Sequence, residues 1–159
     1  MTPTQEPPPV PPLLCQEHSI RTADSGEIDR FVADVYAMME PALIQQRFLN
    51  PQFRITLALH EAVINAWQHG NEKDRNKAIT VRWRVKEDLV LEVMDEGKGF
   101  DFEATSDPRA DENVCRPCGR GIAIISYLAD HVSWQDQGRH LLASFARVPG
   151  RKKKPSLPA

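Results

Sequence analysis

"FRITLALHEAVINAWQHGN", residues 53–71, is the stretch that decides how this chain is read. At 100° per residue, Ile55, Leu59, Ala62, Val63 and Ala66 fall within one arc, which predicts a helix from about Gln52 to Gln68 with that arc against a core. Pro51 lies just ahead of it. Glu61, Asn65 and His69 stand four apart and form one polar stripe at the margin of the arc, where a carboxylate and a carboxamide would be partly shielded from water. Two accounts fit the stripe. It is a solvated flank, or it is a pair of functional groups in which the Asn65 oxygen ligates a hard cation and Glu61 orients or deprotonates an attacking oxygen.

Downstream the period changes from helical to alternating. "AITVRWRV" (78–85) and "LVLEVMD" (89–95) predict two strands joined by the charged turn "KEDL". Ile79, Val81, Trp83 and Val85 face one way and Thr80, Arg82 and Arg84 the other, the pattern of a strand with one wet face. A polar stretch from Asp101 to Pro117 precedes a helix, "GIAIISYLAD". Then come "HVSWQD" and "RHLLASFARV", joined across a turn at Gln137 and Gly138.

Upstream, "CQEHSIRT" (15–22) predicts a first strand, and Ser25 can cap a helix that buries Ile28, Phe31, Val32, Val35, Met38 and Met39. The sum is an α+β fold. About three helices lie on one face of a mixed, mostly antiparallel five-stranded sheet, a two-layer sandwich. The folded body is expected over 14–148. It is flanked by a Pro-rich disordered tail (1–13), in which "MTPTQEPPPVPP" holds six prolines, and by a basic disordered tail (149–159).

The totals restrict function mainly by exclusion. With 159 residues the chain has room for one ordinary domain, and 20 basic against 22 acidic residues give no field that favours nucleic acid or an anionic membrane. No apolar run approaches the ~18 residues of a membrane span, and the N-terminus has no signal-peptide pattern. Three cysteines, an odd number, fit a reducing compartment; a cytoplasmic protein is expected.

Two glycine-rich segments join the helix stripe as candidates. In "DEGKGFD" (95–101) a strand-end Asp95 is followed by Gly97 and Gly99. Glycines permit positive φ and close approach of a ligand, so Asp95 could present its carboxylate to an exocyclic amine such as that of adenine. Glu96 and Lys98 read as ordinary surface residues. In "CGRGIAI" (118–124) Gly119 and Gly121 bracket Arg120 before an apolar helix, where free N–H groups and the helix dipole suit a polyphosphate. Taken singly, each is also an ordinary turn or helix entry.

Together, an E-x-x-x-N helix, D-x-G-x-G after a strand and G-x-G opening a helix resemble the N, G1 and G2 boxes of the GHKL ATPase/kinase superfamily, with its Bergerat ATP-binding fold. The resemblance covers about Gln16 to Val148. "LHEAVINAWQHGN" and "DPRADENVCRPCGRGIAIISYLAD" look most like bacterial anti-sigma factor serine/threonine kinases. A sensor histidine kinase should carry a phosphoacceptor helix ahead of the ATPase domain, and gyrase-like and chaperone-like members are far longer.

The resemblance implies ATP and Mg²⁺ as cofactors, with Glu61 as general base and Asn65 as the magnesium ligand. It implies that Asp95 reads adenine beside Gly97 and Gly99, that Gly119, Arg120 and Gly121 close over the phosphates, and that residues from about Asp101 to Cys118 form an ATP lid. The implied partners are an anti-anti-sigma STAS-domain protein, a sigma factor and a second copy of the chain in a homodimer, with no direct nucleic acid and no membrane. The rival reading is a non-catalytic ATP-binding module that grips a STAS protein or other regulator without phosphorylating it. Two departures from the family pattern are Cys115 and Cys118, a C-x-x-C inside the expected lid, and the last strand, where only Ser144 offers the hydroxyl often found near adenine.

Overall fold

The computed structural model describes residues 15–99 and 117–148. Both expected tails and most of the expected lid, with Cys115, lie outside the described residues, as do the side chains of residues 117–119.

Alternation of apolar and polar residues forms the sheet. Its strands are β1 (Cys15–Ile20), β2 (Ile79–Val85), β3 (Asp88–Asp95), β4 (His131–Gln135) and β5 (His140–Ala146), in the spatial order β1-β2-β3-β5-β4. All pairings among the described residues are antiparallel, which corrects the expectation of a mixed sheet. The register aligns like with like: Trp83 faces Leu91, Leu91 faces Ala143, and Val81 faces Val93, which faces Leu141. All six are buried, so the alternate positions form one apolar face; a slip of one residue would turn the whole row to water.

Three helices among the described residues cover that face: α1 (Ser25–Gln45), α2 (Pro51–Asn65) and α3 (Pro117–Leu128). α1 buries Ile28, Val32, Val35, Tyr36, Met39 and Leu43 at helical spacing. Met38 is 51% exposed, contrary to expectation, because it stands about 100° round from the neighbouring Met39 that points inward. The cap also differs. Asp24 is the N-cap and its carboxylate accepts the Gly26 N–H at 2.8 Å, while Ser25 is the first helical residue.

In α2 the predicted arc of Ile55, Leu59, Ala62, Val63 and Ala66 is buried as read. Regular winding stops at Asn65, however, and residues Ala66–Gly70 form a π turn, closed by the Asn71 N–H donating to Ala66 O at 2.7 Å. The wider turn breaks the predicted stripe, and His69 is exposed. The Trp67 indole N–H donates to Thr22 O at 3.0 Å and ties this turn to the segment between β1 and α1.

Candidate functional site

The π turn, the end of β3 and the start of β5 meet at one end of the sheet. Asp95 is the last residue of β3 and lies in register with the buried Ile79, on the side of the sheet that faces the helices. Its N–H donates to Arg139 O at 2.9 Å, and its Oδ1 accepts the Gly97 N–H at 2.8 Å. Burial raises the Asp95 pKa above the ordinary carboxylate value; the Gly97 N–H and the nearby Arg139 and Lys77 charges oppose that shift, while Asp136 adds to it.

The glycines here are required by contact. A Cβ on Gly97 would stand 1.9 Å from Gly70 O, and one on Gly70 would stand 2.4 Å from the Asp95 carboxylate. The backbone of the π turn and the turn after β3 therefore touch across Asp95. Gly99 has φ +80, and a Cβ there would reach Gln137 O at 2.6 Å. The D-x-G-x-G spacing thus marks close backbone packing on two sides of one carboxylate.

Gly119, Arg120 and Gly121 lie within the first turns of α3, which starts at Pro117; the helix was expected to open only after them. Proline is a favourable first residue because its missing N–H would have had no intrahelical partner. The N–H groups of Cys118, Gly119 and Arg120 fall among the first four of the helix, which regular winding leaves unpaired. Arg120 is exposed, and Gly121 is buried. A Cβ on Gly121 would come within 3.1 Å of Glu61 Oε2, so the carboxylate of α2 rests against the start of α3. Two of the three sequence elements are joined at this contact.

Asn65 is buried, 9% exposed, and its side-chain oxygen has no hydrogen-bond partner among the described residues. An unpaired buried acceptor costs about 1–3 kcal/mol unless a water or a ligand supplies the partner. A carboxamide oxygen is a suitable donor atom for a hard divalent cation, so the residue present fits the magnesium role that its sequence pattern suggests.

Sequence reasoning missed four residues around Asp95. Gly70 makes room for its carboxylate. Asn71 is 1% exposed and bonds the backbone on both sides of the site. Glu96, read as an ordinary surface residue, accepts the Ala78 N–H through Oε2 at 2.7 Å. Arg139 reaches the Gly97 carbonyl at 3.4 Å and is held by Asp136 at 2.8 Å. "HGN" was the only available signal for the first two, and it becomes informative only when Ala78 and Glu96 are seen beside it. Ser144, the hydroxyl that the last strand offers, lies outside this group. It alternates with the buried Ala143 and Phe145 on β5, so it faces away from the helices, and the inward position is Ala143.

Over 105 residues the chain is 32% identical to "Serine-protein kinase RsbW" of Bacillus subtilis (strain 168), covering 62% of this chain and 66% of that protein, just under two thirds of its length. Residues 21–145 match the model of the histidine kinase-like ATPase domain, a span that begins just after β1 and runs into β5. This chain belongs to the histidine kinase-like ATPase domain family.

Proposed function

We propose that this chain is an ATP-dependent protein serine/threonine kinase that acts as an anti-sigma factor. It phosphorylates an anti-anti-sigma STAS-domain partner and otherwise sequesters a sigma factor, working as a homodimer. The observation that carries this reading is the placement of the Glu61 carboxylate against Gly121, one helical turn before the unpaired Asn65 oxygen. A proton acceptor, a cation ligand and a helix N-terminus adjoin one another, as phosphoryl transfer to a hydroxyl requires. Similarity to a serine-protein kinase supports the choice of a hydroxyl acceptor.

In this scheme Asp95 accepts a hydrogen bond from the adenine amino group, with Gly97 and Gly99 forming that wall. Gly119, Arg120 and Gly121 face the phosphates through backbone N–H groups and the guanidinium. Asn65 holds Mg²⁺, which would neutralise phosphate charge. Glu61 takes the proton of the partner's serine or threonine hydroxyl as that oxygen bonds to the γ-phosphorus. The bond to the β-phosphate oxygen breaks and ADP leaves.

Labelled ATP with candidate STAS proteins tests the proposal directly. Wild type should transfer label to a serine or threonine. Glu61→Gln should bind ATP with unchanged affinity while transfer falls by about 10²–10⁴-fold. Absence of label on every STAS partner would favour a binding module, and full transfer by Glu61→Gln would remove Glu61 as the base.

A further inference from the structure

The nucleotide end of the molecule contains a closed ring of three side-chain-to-backbone hydrogen bonds. The Asn71 Nδ2 donates to Ala78 O at 3.0 Å, the Ala78 N–H donates to Glu96 Oε2 at 2.7 Å, and the Glu96 N–H donates to Asn71 Oδ1 at 2.9 Å. It locks together the residue that ends the π turn, the residue before β2 and the residue after Asp95, the last of them 25 positions from the first. Asn71 is the hub, since its buried carboxamide uses both its donor and its acceptor side. The π turn makes this possible because its extra residue brings Asn71 round to the strand ends while Gly70 O is pressed against Gly97.

We propose that Asn71 is a positioning residue that sets the base preference of the nucleotide site by fixing the backbone that aims the Asp95 carboxylate. The proposal rests on the ATP-binding reading above and adds to it the source of the preference for a 6-amino purine. The chain of cause is short. Asn71 holds the Glu96 N–H, Glu96 adjoins Asp95, and the next N–H, that of Gly97, orients Asp95 Oδ1 at 2.8 Å. A carboxylate that accepts from the amino group at C6 of adenine meets a carbonyl oxygen at the same place in inosine, so it attracts one base and repels the other. Discrimination of this kind needs placement to within about 0.5 Å, which a free turn with two glycines would not hold. Phosphate and cation contacts come from Asn65 and α3, outside the ring, so they should respond little to its loss.

Calorimetry of Mg-ATP and Mg-ITP binding to the full chain tests the proposal. Wild type should favour ATP by at least about tenfold, and Asn71→Ala should cut that ratio by about fivefold or more by weakening ATP while ITP changes by less than about twofold. Glu96→Ala should lower the ratio in the same direction. Glu96→Gln, which retains an acceptor for the Ala78 N–H, should restore it. A parallel loss of ATP and ITP affinity in Asn71→Ala would reduce Asn71 to a structural role and overturn the proposal. If that variant does not fold, the exposed Glu96 pair decides: equal ratios in Glu96→Ala and wild type overturn the ring's role. Asp95→Asn separates the two levels of argument. If it erases the preference while Asn71→Ala keeps it, only the inference about Asn71 fails; if wild type has no preference and Asp95→Asn changes nothing, the adenine reading fails and takes the inference with it.

Discussion

Two buried asparagines stand six residues apart on either side of the π turn, and the fold treats them in opposite ways. Asn71 gives its amide to Ala78 O and its oxygen to the Glu96 N–H, so it is internally satisfied. Asn65 is also buried, yet among the described residues its oxygen has no partner. The same side chain therefore serves as a clamp after the turn and as an open acceptor before it. A buried polar group bonded within the protein contributes stability, and one left open costs stability until a ligand arrives. On the proposed function, the contrast separates a group bonded within the fold from one free to meet a cation.

The largest expected effect comes from removing the open member. Asn65→Ala should reduce Mg²⁺-dependent ATP binding by at least about 1000-fold, or about 4 kcal/mol, while the melting temperature of the ligand-free protein holds or rises. Calorimetry and thermal unfolding of one sample decide it. Full-strength binding would place the cation elsewhere, and a large loss of stability would make Asn65 another clamp.

Gly97→Ala attacks the contact that keeps both sides of the turn in place. Its Cβ would stand 1.9 Å from Gly70 O, which is backbone and cannot rotate away, so about 3 kcal/mol of stability should be lost in urea denaturation. An unchanged midpoint would mean that the turn after β3 can move freely from the π turn. Asn71→Ala should cost less, about 1–3 kcal/mol by the same measurement, and unlike Asn65→Ala should show the loss without ligand. Equal stability of the two alanine variants would erase the contrast between them.

The smallest effect concerns pH. Burial raises the pKa of Asp95 in the folded protein above its unfolded value, so the protonated form is relatively favoured by folding. Its contribution to stability is fully present below the unfolded pKa and is lost as pH rises through the raised folded value. Asp95→Asn does not titrate, so it should gain stability relative to wild type across that window, as read from paired melts at several pH values. A constant difference between the two would show that Asp95 carries no such shift.

The α+β class was legible in the sequence because hydrophobic period is a local property. β2 alternates so regularly that Ile79, Val81 and Trp83 could be assigned to the core by inspection, and the arc of α2 was equally readable. Errors occurred where one local signal resembled another. Met38 and Met39 are adjacent methionines of which only one can face inward, and Ser25 and Asp24 are both good caps. At the site, Glu61, Asn65 and Asp95 were candidates only through the order of three motifs, since each taken singly also reads as a solvated flank or an ordinary turn. Gly70, Asn71, Glu96 and Arg139 were not found, because their meaning lies in partners distant along the chain.

By itself, then, the sequence determined the two-layer architecture, the inward rows of β2 and α2, and the residue types able to do chemistry. These depend on periods of two and 3.6 residues and on the functional groups themselves. Only the tertiary structure decided which groups are satisfied. Antiparallel register brought Asp95 level with Ile79, the π turn brought Gly70 against Gly97, and the packing of α3 on α2 brought Gly121 against Glu61. Whether a buried amide is a clamp or an open ligand depends on which backbone groups lie within about 3 Å of it, and those come from segments that only the folded chain brings together.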